Sequence, residues 1–357
     1  MHFLILACLT ALLFCQPLAI ASMLQSANEQ DFIVPEYTFS NGQKLSNLKI
    51  HYATLGKPKK NSAGVITNAV LMLHWSNGSG VDLLSESFIS ELYAPGKPLD
   101  ANRYYLIFPD SIGHGMSSKP SDGLRSQFPH YGYHDMVNIQ HLLVTQELKI
   151  SHLKMVIGTS MGGMQTWLWT EKFPEFMDGA MPIVSLPQHV EGRNLIWRQA
   201  IAQAIKNDPA WDKGNYKQQP YSLAATWPFA NMLLDGVPHL EKTIPDLSAA
   251  LNFIDLAKAE SGKMDANDLI YVLEASADYK PEDRLGSIQA KVYALDFSDD
   301  QLDPAELGTL KDLIKRVKHG KAVIQPGTPD SFGHLTMAHP ELWANHVASF
   351  IEYVDQD

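Results

Sequence analysis

A serine hydroxyl attacks a carbonyl only when a base within hydrogen-bond reach takes its proton and an acid orients that base. This chain carries residues for each role. Ser160 sits in Gly158-Thr159-Ser160-Met161-Gly162, the pattern of a nucleophile elbow, in which glycines two residues either side let the backbone turn tightly enough to present the hydroxyl above a sheet. Far downstream, Gly333-His334 supplies an imidazole, with His339 as its competitor. Between serine and histidine, Asp296, Asp299, Asp300 and Asp303 crowd one loop. Position alone does not choose among them, and three are expected to be solvated or to cap a helix beginning near Pro304. The developing oxyanion needs two backbone N–H donors. Met161 follows the serine directly, and the loop His74-Trp75-Ser76-Asn77-Gly78 offers Trp75 and Ser76 for the second.

These residues need elements to hold them. Leu153, Met155, Val156 and Ile157 form a short apolar run before the elbow, and Met164, Trp167, Leu168 and Phe173 recur at helical spacing after it, up to Pro174. Continuous apolar runs of this kind mark strands buried on both faces. Others are Val70-Leu71-Met72-Leu73, Tyr104-Tyr105-Leu106-Ile107-Phe108, Met181-Pro182-Ile183-Val184, Lys291-Val292-Tyr293-Ala294-Leu295 and Lys321-Ala322-Val323-Ile324. Helical periodicity covers 133–148, 305–317 and 341–354. Such alternation predicts an α/β fold with a mostly parallel, doubly wound sheet. Tyr37-Thr38-Phe39 and Leu48-Lys49-Ile50-His51-Tyr52, joined across Asn41-Gly42, predict an N-terminal hairpin. The aspartate and histidine loops then follow the strands at 291–295 and 321–324, in the order serine, acid, histidine along the chain. Residues 192–284 show helical segments at 194–206 and 245–258 without a buried strand. They are expected to form a helical lid inserted into a core made of 22–191 and 285–357.

The first 21 residues carry no charged side chain, run apolar from Phe3 to Phe14 and end in Ala19-Ile20-Ala21 before Ser22. That pattern predicts a cleaved signal peptide and an exported, periplasmic or secreted protein with no membrane span after processing. Cys8 and Cys15 both lie inside this segment. Disulfides, thiolate-bound metals and a cysteine nucleophile therefore drop out of the mature chain, and lipidation of Cys15 is the competing fate. A net charge of −11 repels nucleic acid and anionic headgroups, which leaves small neutral or cationic molecules as partners.

The chain resembles the homoserine O-acetyltransferase-like family of α/β-hydrolases from about residue 45 to 352. The resemblance rests on Leu73-His74, the extended elbow through Gly163-Met164-Gln165, Trp197-Arg198-Gln199-Ala200-Ile201 with Asp208-Pro209 and Trp211, Asp300-Gln301-Leu302 with Pro304, and Gly333-His334. It implies the α/β-hydrolase fold, Asp300 as the acid because the family's catalytic aspartate sits two residues before a leucine, and a homodimer through the lid helices. It also implies that Arg198 faces the substrate tunnel. Helical geometry is compatible, since Arg198 projects between Ile201, Ala202 and Ile205, where an arginine is either paired in the core or lines a pocket. Two departures matter. The family's acetyltransferases carry an aspartate after the histidine where this chain has Leu335, which cannot hold an ammonium group, and acetyl-CoA is a cytosolic cofactor. The expected activity is hydrolysis of a small-molecule carboxylic ester through an acyl-enzyme, with no metal or other cofactor. Acyl transfer of the homoserine O-acetyltransferase type and a non-catalytic binding protein are the alternatives.

Overall fold

The protein is described by a computed structural model covering residues 26–356. The predicted signal segment, with Cys8 and Cys15, lies outside the described residues. Eight strands form one sheet: β1 (Asn28–Thr38), β2 (Lys44–Leu55), β3 (Ala69–Leu73), β4 (Tyr105–Pro109), β5 (Leu153–Thr159), β6 (Met177–Ile183), β7 (Lys291–Phe297) and β8 (Gly320–Gln325). Their order is β1-β2-β4-β3-β5-β6-β7-β8. β2 pairs antiparallel with both neighbours, and every other pairing is parallel.

The parallel strands lie where the apolar runs predict them, because both faces of β3, β4, β5 and β6 are covered and almost no position on them needs to be polar. β1 differs. It begins at Asn28, in a stretch whose composition reads as polar, because an edge strand buries only part of its side chains: Phe32, Val34 and Tyr37 are buried while Asp31, Ile33 and Glu36 face solvent. The turn to β2 uses Gly42 at φ 84°, the left-handed conformation that suits glycine.

Helices α1 (Tyr133–Leu142) and α2 (Met161–Lys172) flank β5. Between β6 and β7 the chain makes α3 (Gly192–Lys206), α4 (Tyr221–Leu234), α5 (Val237–Thr243), α6 (Leu247–Ser261) and α7 (Ala266–Ala275), and α8 (Ala344–Asp355) closes it. Of the helix expected over 305–317 a short α-helical piece forms, Thr309–Leu313, between two 3-10 turns, and Gly308 at φ 73° separates it from the first. Two apolar clusters, one on each face of the sheet, make up the core. Among the described residues no helix is long and apolar enough to cross a membrane.

Candidate active site

The C-terminal ends of β3, β5, β7 and β8 converge on Ser160. Ser160 is the N-cap of α2 and adopts φ 52°, ψ −113°, a conformation that costs a non-glycine residue on the order of 1–3 kcal/mol. The flanking glycines do not take the strained dihedral themselves; they provide space. A Cβ on Gly158 would lie 2.1 Å from the carbonyl oxygen of Gly162, and one on Gly162 would lie 2.2 Å from that of Leu73. Helix and strands thus approach so closely that the turn at the serine is forced, and the Ser160 amide, bonded at 2.9 Å to the Ile183 carbonyl, fixes it to β6.

His334 is brought to this serine from the loop after β8. Its Nε2 lies 2.8 Å from Ser160 Oγ and its Nδ1 lies 2.6 Å from Asp300 Oδ2. Nδ1–H therefore donates to the carboxylate, and a bare Nε2 accepts the serine O–H. The other oxygen of Asp300 accepts from the backbone amides of Leu302 at 2.8 Å and Asp303 at 3.2 Å, so the carboxylate cannot rotate away. All three side chains are buried. Burial alone would depress the His334 pKa, but the charge and hydrogen bond of Asp300, aided by Asp303, hold it above the ordinary histidine value.

His339 is not part of this arrangement. It stacks on Phe332 with centroids 3.9 Å apart and pairs with Glu341 at 3.0 Å. The remaining aspartates correct the expectation that three would be solvated or would cap a helix. Asp296 and Asp303 are as buried as Asp300, because the strand-to-loop turn folds under the helices after β6, and burial together with neighbouring carboxylates drives the Asp296 pKa far up. Asp299 accepts from Ser331 Oγ at 2.7 Å and from the Gly333 amide at 3.1 Å, tying the aspartate loop to the histidine loop.

Helices α3, α4 and α7 roof the serine. A narrow cavity of about 30 Å³ is lined by Ser160, His334, Trp75, Ser76, Trp197, Arg198, Trp227, Leu335 and neighbouring apolar side chains. Leu335 thus shares the space above the serine. Arg198 is both pocket-lining and partnered: its guanidinium donates to Asn194 Oδ1 at 2.9 Å and to the Tyr133 hydroxyl at 3.3 Å. Among the described residues no carboxylate lies within 4.0 Å of it. Asp300, Asp303 and His334 have the spacing of metal ligands, but the imidazole is already engaged on both nitrogens.

A model of the alpha/beta hydrolase fold matches residues 69–328 of the chain. The chain belongs to the α/β-hydrolase family. This α/β-hydrolase is 29% identical to a probable acyltransferase of Methanothermobacter thermautotrophicus, over 81% of its length and 88% of the relative's. It is 28% identical to a homoserine O-acetyltransferase of Desulfotalea psychrophila, over 84% and 87%. Among solved structures, esterase E22 superposes with a TM-score of 0.80 at 22% identity, covering 91% of this chain and all of that one. The resemblance read from the motifs therefore holds, and the α/β-hydrolase is an enzyme acting on esters or acyl groups.

The support beneath the predicted oxyanion loop is invisible to motif reading. His74 Nε2 accepts the Ser111 amide at 3.0 Å, which leaves Nδ1–H to donate to the Trp75 carbonyl at 2.8 Å. Because carbonyl and amide of one planar peptide point opposite ways, pinning that carbonyl also sets the direction of the Ser76 N–H. His114 faces the Ser76 carbonyl with Nε2 at 2.8 Å and the Ile112 carbonyl with Nδ1 at 3.0 Å. Asp110 accepts the amides of Gly80 and Met116, each at 2.7 Å. Behind the elbow, buried Gln165 accepts from Gln140 at 2.6 Å, and the Gln140 carbonyl accepts from the Trp169 indole at 2.9 Å, which gives the glutamine of the Met-Gln motif a role in locking α2 to α1. Met161 opens α2, where backbone amides have no intrahelical acceptor. Leu73-His74 belongs to the motifs that carry the resemblance, but nothing in it announces a support for the loop, and the sequence signal for His114 was its place in a Gly-rich loop after a strand.

Proposed function

We propose that this enzyme is an exported serine esterase that transfers small acyl groups from carboxylic esters to water. The observation that carries the proposal is the relay Ser160–His334–Asp300, at 2.8 and 2.6 Å, facing a pocket too narrow for a long acyl chain. Ser160 Oγ attacks the ester carbonyl while its proton passes to His334 Nε2. The oxyanion is received by the amides of Met161 and of Trp75 or Ser76. The C–O bond to the alcohol then breaks, and the alcohol leaves with the proton from His334. Water, deprotonated by the same nitrogen, attacks the acyl-serine, and the acid departs as the proton returns to Ser160. Asp300 stays ionised throughout and orients the imidazole. Two features support water as the acceptor: Leu335 offers no carboxylate for an amine, and the uncharged apolar N-terminus ending in Ala19-Ile20-Ala21 directs the chain to a compartment without acyl-CoA. A fluorophosphonate probe is expected to label the wild type and spare Ser160→Ala, and p-nitrophenyl acetate to be cleaved faster than the octanoate. Equal labelling of both proteins would refute the assignment.

Acyl transfer is the second reading, favoured by Arg198, a buried guanidinium in the pocket with no carboxylate partner among the described residues, which suits an acidic acceptor. Product analysis with acyl-CoA and homoserine against simple esters separates the two. The outer surface of α3, α4 and α6, where Ile196, Phe229, Leu247 and Leu256 are exposed, is the face a second copy would cover in a homodimer.

A further inference from the structure

A second cavity, of about 380 Å³, adjoins the catalytic pocket. Met164, Asn194 and Leu302 line both spaces and form the threshold between them. The catalytic pocket is narrow, and the larger cavity is the adjoining space into which the rest of a substrate can extend. The walls of the larger cavity are acidic. Asp303, Glu191 and Glu306 face it against one cation, Arg193, whose guanidinium is engaged by the Gln301 carbonyl at 3.2 Å. His189 lies between Glu282 at 2.7 Å and Glu191 at 3.2 Å.

Asp303 is the unusual member. It is 3% exposed, and its Oδ2 is buried without a hydrogen-bond partner. Asn194 hydrogen-bonds the carboxyl and the charges of His334 and Arg198 act on it from further off, but no cationic side chain among the described residues lies within 4.0 Å of it. A desolvated carboxylate oxygen with no donor is costly, and a buried one needs a positive partner or a proton. Burial, followed by the charge of Asp300, pushes the Asp303 carboxyl up to about 7, the behaviour of a site that a cation would relieve. We infer that the larger cavity receives the alcohol half of an ester whose alcohol carries an ammonium or quaternary ammonium group, and that Asp303 holds that charge. The inference rests on the esterase reading above. It places the cation's counter-charge on the aspartate loop, whereas Leu335, next to the histidine, leaves the opposite wall apolar.

The test uses acetylcholine and its uncharged isostere, 3,3-dimethylbutyl acetate, with kcat/KM measured for both on wild type and Asp303→Asn. The readout is the ratio between the two esters, so any change in rate common to both cancels. The wild type is expected to favour the cationic ester by about tenfold, the order of a single well-placed charge contact, and Asp303→Asn to bring the ratio close to one. A wild-type ratio of one overturns the inference. So does a preference that survives the substitution, or an equal loss on both esters, which would assign Asp303 to His334 instead of to substrate. A check independent of the variant is inhibition of wild-type dimethylbutyl acetate hydrolysis: choline should inhibit at lower concentration than 3,3-dimethylbutanol, and equal inhibition overturns the inference. A protein that turns over neither ester and is not labelled at Ser160 refutes the esterase reading itself; one that is labelled and cleaves the neutral ester without cation preference refutes only the present inference.

Discussion

Two loop systems flank Ser160, each built around buried imidazoles, and the same residue type is driven in opposite directions. On one side His334 is 3% exposed; on the other His74 and His114 are 1% and 6% exposed. Burial penalises the imidazolium in all three. His334 touches the carboxylate of Asp300, and its pKa ends above the ordinary value. His74 and His114 face backbone groups and each other, and burial brings both down to about 4. The difference teaches that depth does not make a histidine a base. A contact with a buried carboxylate poises one ring to accept a proton, while rings bonded to backbone groups stay neutral and act as fixed hydrogen-bond struts.

The largest effect should come from removing that carboxylate. Asp300→Asn is expected to lower kcat by about 10⁴, the scale of losing the correct tautomer in such a relay, with little change in KM. A loss under tenfold would show that His334 does not depend on Asp300. On the opposite side, His114→Leu removes the ring that lies between the Ser76 and Ile112 carbonyls and frees the loop that aims the second oxyanion amide. It should cost roughly 10–10² in kcat, less than deleting a donor outright, and His114→Gln, which keeps an N–H, should restore most of it. The pH profile sharpens the same contrast. Since His334 must be neutral to take the serine proton and its pKa is raised, kcat/KM should fall on the acid side with a midpoint above 6.5, while nothing from His74 or His114 appears in that range. A midpoint well below 6 would mean that Asp300 leaves the imidazole unassisted.

How far the sequence reached follows the same physics. Parallel strands show as apolar runs, so the buried strands β3 to β7 and the elbow were legible, as were the loops on which a base and an acid had to lie; β8 was found by the same signal although, at the sheet edge, it is only half-buried. The choice among Asp296, Asp299, Asp300 and Asp303 was not, because which carboxylate meets an imidazole depends on the trajectory of the loop after β7, and three of the four turn out to be buried. Family motifs singled out Asp300; spacing could not. Arg198 was posed as either paired or pocket-lining, and the structure makes it both, because neutral partners, Asn194 and Tyr133, satisfy part of the guanidinium. The supporting roles of His74, although it stands in a family motif, and of His114 were not legible. Their partners Ser111, Ile112 and Ser76 are joined by backbone contacts that leave no periodicity, and nothing local distinguishes a strut from a surface histidine.

The smallest expected effect is on stability, and its sign follows from the depressed pKa values. An unfolded histidine binds its proton near pH 6.5, whereas His74 and His114 do so only near 4 in the folded protein. Between these limits the unfolded chain holds more protons, so stability rises with pH across the window and is lost as pH falls from 6.5 towards 4. Each group contributes at most about 3 kcal/mol, at 1.36 kcal/mol per pKa unit. His334 opposes them: with a raised folded pKa, its contribution is fully present below 6.5 and is lost as pH rises through the folded value. Buried carboxyls with raised pKa values, Asp303 and Asp296 among them, oppose the struts as well, so the readout is the melting temperature of His114→Gln against the wild type from pH 7 to 4: the variant, which cannot titrate but can still donate to Ser76, should gain stability relative to the wild type as pH falls from 6.5 towards 4. An unchanged slope in His114→Gln would mean that the loop opens to water before the ring is protonated, and that the contrast between the two sides of Ser160 lies in their dynamics instead of in their charge.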